Sequence, residues 1–197
     1  MSFLMEFTTV AMTAIFLENV IFSRALGTSR VIHSLKGGKN LLLFGTSLTV
    51  VTTLVSVVTY FVNELWRNMG LKSFYRPFMF VVAIIIIYII VYCLVKFFLP
   101  KLYKKISYSL TYATFNCALL GSVFLAADQN FNLVKTIGFG FGAGIGFTLA
   151  TLLVFEGKRR ILLNDVPKSF RGFPITLMYL GLVALAMYGL VGHQLPF

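Results

Sequence analysis

Few of the 197 side chains have the chemistry to bind a metal, carry a proton or hold an electron carrier, and the most telling are Asn116 and Cys117. This thiol and carboxamide sit halfway along a stretch, 106–127, that contains no Lys, Arg, Asp or Glu. Hydrocarbon has nothing to satisfy an amide. A carboxamide at such a depth therefore implies a broken helix, a partner or a cofactor. An isolated cysteine in an apolar span is ordinarily a small filler, which is the reading for Cys93. For Cys117 the neighbouring Asn116 and the following Gly121 set a cofactor role beside the filler reading. A second polar pair, Glu18 and Asn19, interrupts the apolar N-terminal stretch. A carboxylate within a span marks either an ion path or a buried pair, here with a basic residue such as Arg24 near the cytoplasmic end. There is no CxxC, no His/Cys cluster of zinc type, and no base placed to activate a serine or cysteine nucleophile.

The elements that must position these residues are membrane helices. The chain is 58% hydrophobic and 12% charged, where soluble domains carry about a quarter charged residues. Charge-free stretches long enough for a hydrocarbon core of about 30 Å lie at 41–63, 78–95, 106–127, 136–155 and 173–191. A sixth, 3–22, carries Glu6 and Glu18. It has neither a basic start nor a small-residue cleavage site and is expected to be a span rather than a signal peptide. Of the 17 Lys and Arg, four fall in 24–39, four in 96–105 and five in 158–171. Only Arg67, Lys72, Arg76 and Lys135 fall on the other side. That asymmetry predicts basic loops in the cytoplasm and both termini outside. The net charge of +11 is thus mainly a topology signal. It argues for contact with anionic lipid and against nucleic acid, and leaves loop 158–171 as a docking surface for an acidic partner such as a ferredoxin.

The expected fold class is an all-α integral membrane protein: six transmembrane helices as two inverted three-helix repeats, with helices one and four interrupted. The chain, 1–197, is a single polytopic domain, repeat one covering about 1–100 and repeat two about 101–197. Each half opens on an irregular span, Asn19 being followed by Leu26-Gly27 and Asn116 by Leu120-Gly121. Three spans per repeat force opposite orientations and bring the two breaks together near the midplane. In the fifth span, Gly138, Gly142 and Gly146 form one small-residue stripe and Gly140 and Gly144 another, roughly opposite, so helices are expected to approach closely on both sides. A phosphate-binding glycine loop would need a strand–turn–helix context that is missing here.

Phe115-Asn116-Cys117-Ala118-Leu119-Leu120-Gly121 resembles the "TNCAVLG" segment of the Rnf/Nqr family of membrane subunits. Residues 138–147 resemble its "YGFGAAVGF", and 164–175, NDVPKSFRGFPI, its "ADVPKAFRGFPI". Glu18-Asn19 and Leu26-Gly27 match "NNFVLxxFLGxCPF" more loosely. The resemblance covers nearly the whole chain, and the DVP…RG segment points to the RnfA/NqrE branch, whose termini are expected outside. It implies a membrane subunit of an ion-translocating ferredoxin:NAD oxidoreductase (Rnf-type) complex in a bacterial or archaeal cytoplasmic membrane. Its implied partners are a homologous subunit of opposite topology (RnfE/NqrD-like) and other subunits with flavin and iron–sulfur centres. The pair would share an intramembrane iron–sulfur cluster of 2Fe-2S type, two cysteines from each subunit, relaying electrons coupled to Na+ or H+ transport. On that footing Cys117 is the expected iron ligand and Asn116 shapes the break beside it.

The sequence also departs from the family pattern. Ser29 stands where the family has its first cysteine, Arg30 replaces the following proline, Glu18 replaces the first asparagine of "NN", and Tyr92 occupies a glutamate position. Ser29 is thus expected as a weak alkoxide ligand, with Cys93 as another substitute, and Glu18 and Asn19 as ion-path candidates. The alternative reading is a non-redox scaffold or transporter subunit that has lost the cluster. A vitamin-binding component of an energy-coupling transporter would lack the DVP…RG segment and have a cytoplasmic N-terminus.

Overall fold

The computed structural model describes residues 3–28, 41–70, 73–98, 100–161 and 163–191, and among these every regular element is helical. α1 (Phe3–Phe16) and α2 (Val20–Arg24) are followed by the long helices α3 (Leu41–Asn68) and α4 (Arg76–Phe98). α5 (Pro100–Thr114) and α6 (Cys117–Asp128) are followed by α7 (Leu133–Ile161) and α8 (Phe173–Val191). The order of broken helix, long helix, long helix therefore occurs twice. By length and apolarity alone α3, α4 and α7 can each cross a bilayer. A fourth span is formed if the 106–114 part of α5 and α6, bent by 48°, are one broken helix. α1 and the 173–189 part of α8 are apolar but shorter, so the predicted count of six is only partly met by helix length.

α7 is the spine. Its glycines are buried, and α1 and α3 pack on opposite sides of it. Gly138, Gly142 and Gly146 face Phe7, Ala11 and Ala14, so α1 runs parallel to α7. Gly140 and Gly144 face Ser56, Thr52 and Thr49 of α3, which runs antiparallel, and Gly45 of α3 faces Thr148 in return. Both predicted stripes are thus used as close-packing faces. A Cβ on Gly144 would lie 2.5 Å from Thr49 Cα, which is backbone and cannot swing aside.

The hydroxyls on the packed face of α3 are satisfied within the helix. Thr52 donates to the Leu48 carbonyl (2.9 Å), Ser56 to Thr52 (2.7 Å) and Thr59 to Val55 (2.7 Å). Small polar residues thereby fill the seam without leaving an unpaired group. α5 packs on α3 as α1 packs on α7. Val51, Val55, Phe80, Ile84, Leu119 and Val123 form one core at α3, α4 and α6. α4 and α8 are apolar around most of their circumference. α4 buries only Phe80, Ala83, Ile84 and Ile87, leaving its other face for lipid or a partner.

Gly142→Ala should cost about 1–2 kcal/mol in thermal unfolding of the purified protein, because overpacking outweighs the gain in helix propensity. Its new methyl would press on the Ala11 carbonyl oxygen and lie 2.9 Å from Ala11 Cα. Gly181→Ala on α8, with nothing within 4 Å, should be neutral or stabilising by up to about 1 kcal/mol. Equal losses at both positions would refute the close-packing role.

Candidate functional site

Two helix breaks meet beside the spine. The first follows α1, where Leu17 and Glu18 N–H both donate to the Thr13 carbonyl and end the helix. Asn19 then restarts the chain: its Oδ1 accepts from Ile21 N–H (3.1 Å), capping α2. Its Nδ2 donates to the carbonyls of Ile15 and Gly146, each at 2.9 Å. The side chain is 1% exposed and satisfied at every hydrogen-bonding edge. The Gly146 contact is the only one of these that crosses to another helix, and it ties the break to α7. α2 lasts five residues and buries Val20, Ile21 and Phe22. It ends at Ala25, which is left-handed (φ 55°) and donates to the Ile21 carbonyl, while Leu26 N–H reaches Val20.

The second break lies between α5 and α6, at 115–116, where the sequence predicts it. Asn116 is extended (φ −124°, ψ 131°), and its Oδ1 accepts from Ala118 N–H (3.1 Å), capping α6. Asn116 is 4% exposed, and its Nδ2 is buried with no hydrogen-bond partner. Such an unmet donor costs about 1–3 kcal/mol when nothing takes it. Cys117 is the first residue of α6, at the positive end of the helix dipole, and it is free and exposed.

The breaks touch through the Leu26-Gly27 and Leu120-Gly121 segments. Leu26 Cδ1 occupies the space that a Cβ on Gly121 would need. Gly27 has φ +82°, and a Cβ there would lie 2.9 Å from Asn116 Oδ1 and 2.7 Å from Phe147. Gly27 is therefore required twice, by its backbone and by its neighbours. Arg24, Leu26, Cys117, Leu120, Gly121, Phe124 and Leu125 line a shallow groove of about 330 Å³. It is lined by Cys117 and Arg24, which come from opposite halves of the chain.

The other candidates lie elsewhere. Cys93 is exposed near the end of α4, in a separate groove with Ile89, Ile90, Leu94, Lys96, Phe97 and Phe98, so it does not line the Cys117 groove. Ser29 and Arg30 lie outside the described residues. The Glu18–Arg24 pair, one of the two readings of Glu18, does not form: both Glu18 oxygens accept from the Gln129 amide, at 2.9 and 3.1 Å, just past the end of α6. Tyr92 hydrogen-bonds the Tyr103 hydroxyl across the α4–α5 seam. Among the described residues no three His, Cys, Asp or Glu gather for a metal, so any centre at Cys117 needs ligands from beyond them. Sequence reasoning did not single out Arg24 as a neighbour of Cys117. The signal available was that Arg24 and Leu26-Gly27 belong to the same motif.

Asn19→Ala should lower stability by about 2–3 kcal/mol, through loss of the cap and two unmet carbonyls. Gln129→Ala, at an exposed position, should change it by less than about 0.5 kcal/mol. Calorimetry of the purified protein separates the two, and an Asn19→Ala protein as stable as the parent would contradict the capping role.

Residues 7–193 match the family model described as "Rnf-Nqr subunit, membrane protein". Over 186 residues the chain is 32% identical to the A subunit of the Na(+)-translocating ferredoxin:NAD(+) oxidoreductase complex of Acetobacterium woodii, covering 94% of this chain and 97% of the relative. It is 30% identical over 188 residues to the A subunits of the ion-translocating oxidoreductase complexes of Vibrio campbellii and of Vibrio cholerae serotype O1 strain El Tor Inaba N16961, covering 95% of this chain and 97% of each relative. The chain belongs to the Rnf-Nqr family of membrane subunits, and within it to the RnfA/NqrE type.

Proposed function

We propose that this chain is a membrane subunit of an ion-translocating ferredoxin:NAD oxidoreductase complex, where it helps hold an intramembrane iron–sulfur centre. The observation that carries the proposal is Cys117: a free thiol at the start of α6, beside a helix break, facing a groove shared with Arg24. A thiolate is the iron ligand of choice, and the positive end of the α6 dipole favours a negative group there. The residues present suit one sulfur ligand from α6. Ser29 is the candidate second, weaker ligand of this chain, and the remaining two belong to a homologous partner of opposite topology. Bound there, a 2Fe-2S centre would supply one-electron relay across a layer where single charges are costly.

The inverted repeat is part of the same proposal. It is supported by the recurrence of broken, long and long helices, and by α1 on α7 matched with α5 on α3. The distribution of basic residues supports termini outside and loop 158–171 in the cytoplasm, towards the flavin and iron–sulfur subunits. Glu18 and Asn19 lie at the first break and are the ion-path candidates for Na+ or H+. The fully used hydrogen bonds of Asn19 make Glu18 the group of the two that is free to exchange partners. A non-redox scaffold is the second reading, favoured by Ser29 standing in the cysteine position.

The assembled complex, purified without oxygen and reduced, should show an iron–sulfur paramagnetic signal that disappears in Cys117→Ala and persists in Cys93→Ala. Iron and acid-labile sulfide should fall by the content of one cluster. Identical spectra and iron counts in Cys117→Ala would assign the scaffold role instead. Glu18→Gln should slow ion uptake into vesicles while leaving the iron content unchanged; unaltered uptake would remove Glu18 from the path.

A further inference from the structure

The sequence counts Arg24 with the basic loop after the first span, but the structure holds it inside the span. The segment that carries it is tied at both ends to the middle of α7. Asn19 Nδ2 donates to the Gly146 carbonyl, and Gly27 lies against Phe147, the central residue of that helix. Between them α2 has five residues and rises only about 7.5 Å. The groove that Arg24 lines is at the same depth: its α6 residues run from Cys117 to Leu125, which clusters with Ala14 and Phe139. Phe139 and Phe147 both fall within the charge-free stretch 136–155. Arg24 is exposed there. Among the described residues, which include all six Asp and Glu, the ion pairs are Arg67–Glu64 and Arg159–Glu156, so no carboxylate meets Arg24. A guanidinium keeps its proton in proteins, and in hydrocarbon it is costly without an anion.

We infer that Arg24 docks an apolar membrane helix of a neighbouring subunit, one carboxylate on that helix pairing with the guanidinium while its apolar face covers the groove. Lipid headgroups lie about 15 Å from the midplane, across hydrocarbon from this groove. A second copy of this chain offers only Glu18 at such a depth, and both Glu18 oxygens are already taken by the Gln129 amide. Glu6, Glu64, Asp128, Glu156 and Asp165 lie towards helix ends or in a loop. The carboxylate therefore belongs to a different membrane protein. The rest of the groove, Leu26, Leu120, Gly121, Phe124 and Leu125 with the Cys117 thiol, suits an apolar helix surface. A planar guanidinium takes a carboxylate with two parallel hydrogen bonds, so the pair sets which helix docks and in what register. The inference stands whether or not a metal centre is held at Cys117.

The test is made on the complex assembled in membranes, with the full chain as bait and the neighbouring membrane subunits counted by mass spectrometry. Arg24→Met and Arg24→Glu should each lower the recovered neighbours by about tenfold or more, the effect of leaving a buried carboxylate unpaired. Arg24→Lys should lose less, because the charge is kept. The full chain purified alone should unfold at the parent's temperature in all three variants, since Arg24 is exposed in it. Each intramembrane Asp and Glu of the neighbours is then changed to Arg in the Arg24→Glu background, and one of these reversals should restore assembly. Full assembly of Arg24→Met overturns the inference, as does a loss that no reversal restores or one matched by a fall in the chain's own stability. Loss of iron from Arg24→Met complexes that keep every subunit overturns this inference alone and leaves the proposed function standing.

Discussion

The chain must stop and restart a helix twice in its packed interior, where no bulk water receives the N–H and C=O groups that each break sets free. Everything around the site answers that constraint. At the first break a single residue does most of the work: Asn19 bonds one N–H and two carbonyls while staying 1% exposed. In the last turn of α1 the Thr13 carbonyl accepts from Leu17 and Glu18 N–H and the Ile15 carbonyl from Asn19 Nδ2, while the Ile21 and Val20 carbonyls of α2 accept from Ala25 and Leu26 N–H. At the second break Asn116 caps α6 and its carbonyl accepts from Leu119 and Leu120 N–H. Among the described side chains at the breaks, the Asn116 amide nitrogen is left without a partner.

Packing and polarity are linked through one residue. Gly146 lets α1 lie close enough for Ala14 and Ile15 to touch α7, and the same closeness brings its own carbonyl to Asn19 Nδ2. A side chain at 146 would therefore remove a contact and a hydrogen bond together. In lipid there is no hydrophobic force pressing helices together, so small residues that allow dispersion contact over a long seam must supply it. The alternation of glycine along α7 does this on two sides at once: even-numbered positions two apart point to opposite faces of the helix, and α1 and α3 occupy those faces.

Much of this was legible in the sequence, and for identifiable reasons. A polar pair in a charge-free stretch has few explanations in hydrocarbon, so the break at Asn116 was visible from its residues alone, as were the glycine stripes from their spacing. The motifs at 115–121, 138–147 and 164–175 also led to the family that the whole chain matches. Partners of polar side chains were much less visible. Asn19 bonds the Gly146 carbonyl, and a backbone oxygen leaves no mark on the sequence. For Glu18 the sequence left a pair with a nearby cation and an ion path as alternatives. Glu18 bonds an amide 111 residues away, because the fold brings the end of α6 against the first break. The count of spans was the weakest expectation, because hydropathy measures the length of an apolar stretch and not of an unbroken helix. The stretch 3–22 holds a helix of 14 residues and the start of a second, five-residue helix that ends at Arg24.

The two breaks are alike in construction and unlike in completion, and that difference bears on which one acts. The first is closed: its asparagine has every partner it can use, and the short helix beyond it is buried on Val20, Ile21 and Phe22. The second exposes a thiol to a groove, keeps an amide donor unmet, and meets the first break at Leu26 and Gly27. A symmetric pair of structural kinks would gain nothing from that imbalance, since a satisfied second break would be the more stable. The imbalance makes sense if the second break keeps its bonding capacity for a group that the chain does not itself provide. Because only one sulfur stands there among the described residues, such a group cannot be held by this arrangement alone. On the proposed reading, the remaining ligands come from outside the described residues, a neighbouring subunit among the sources.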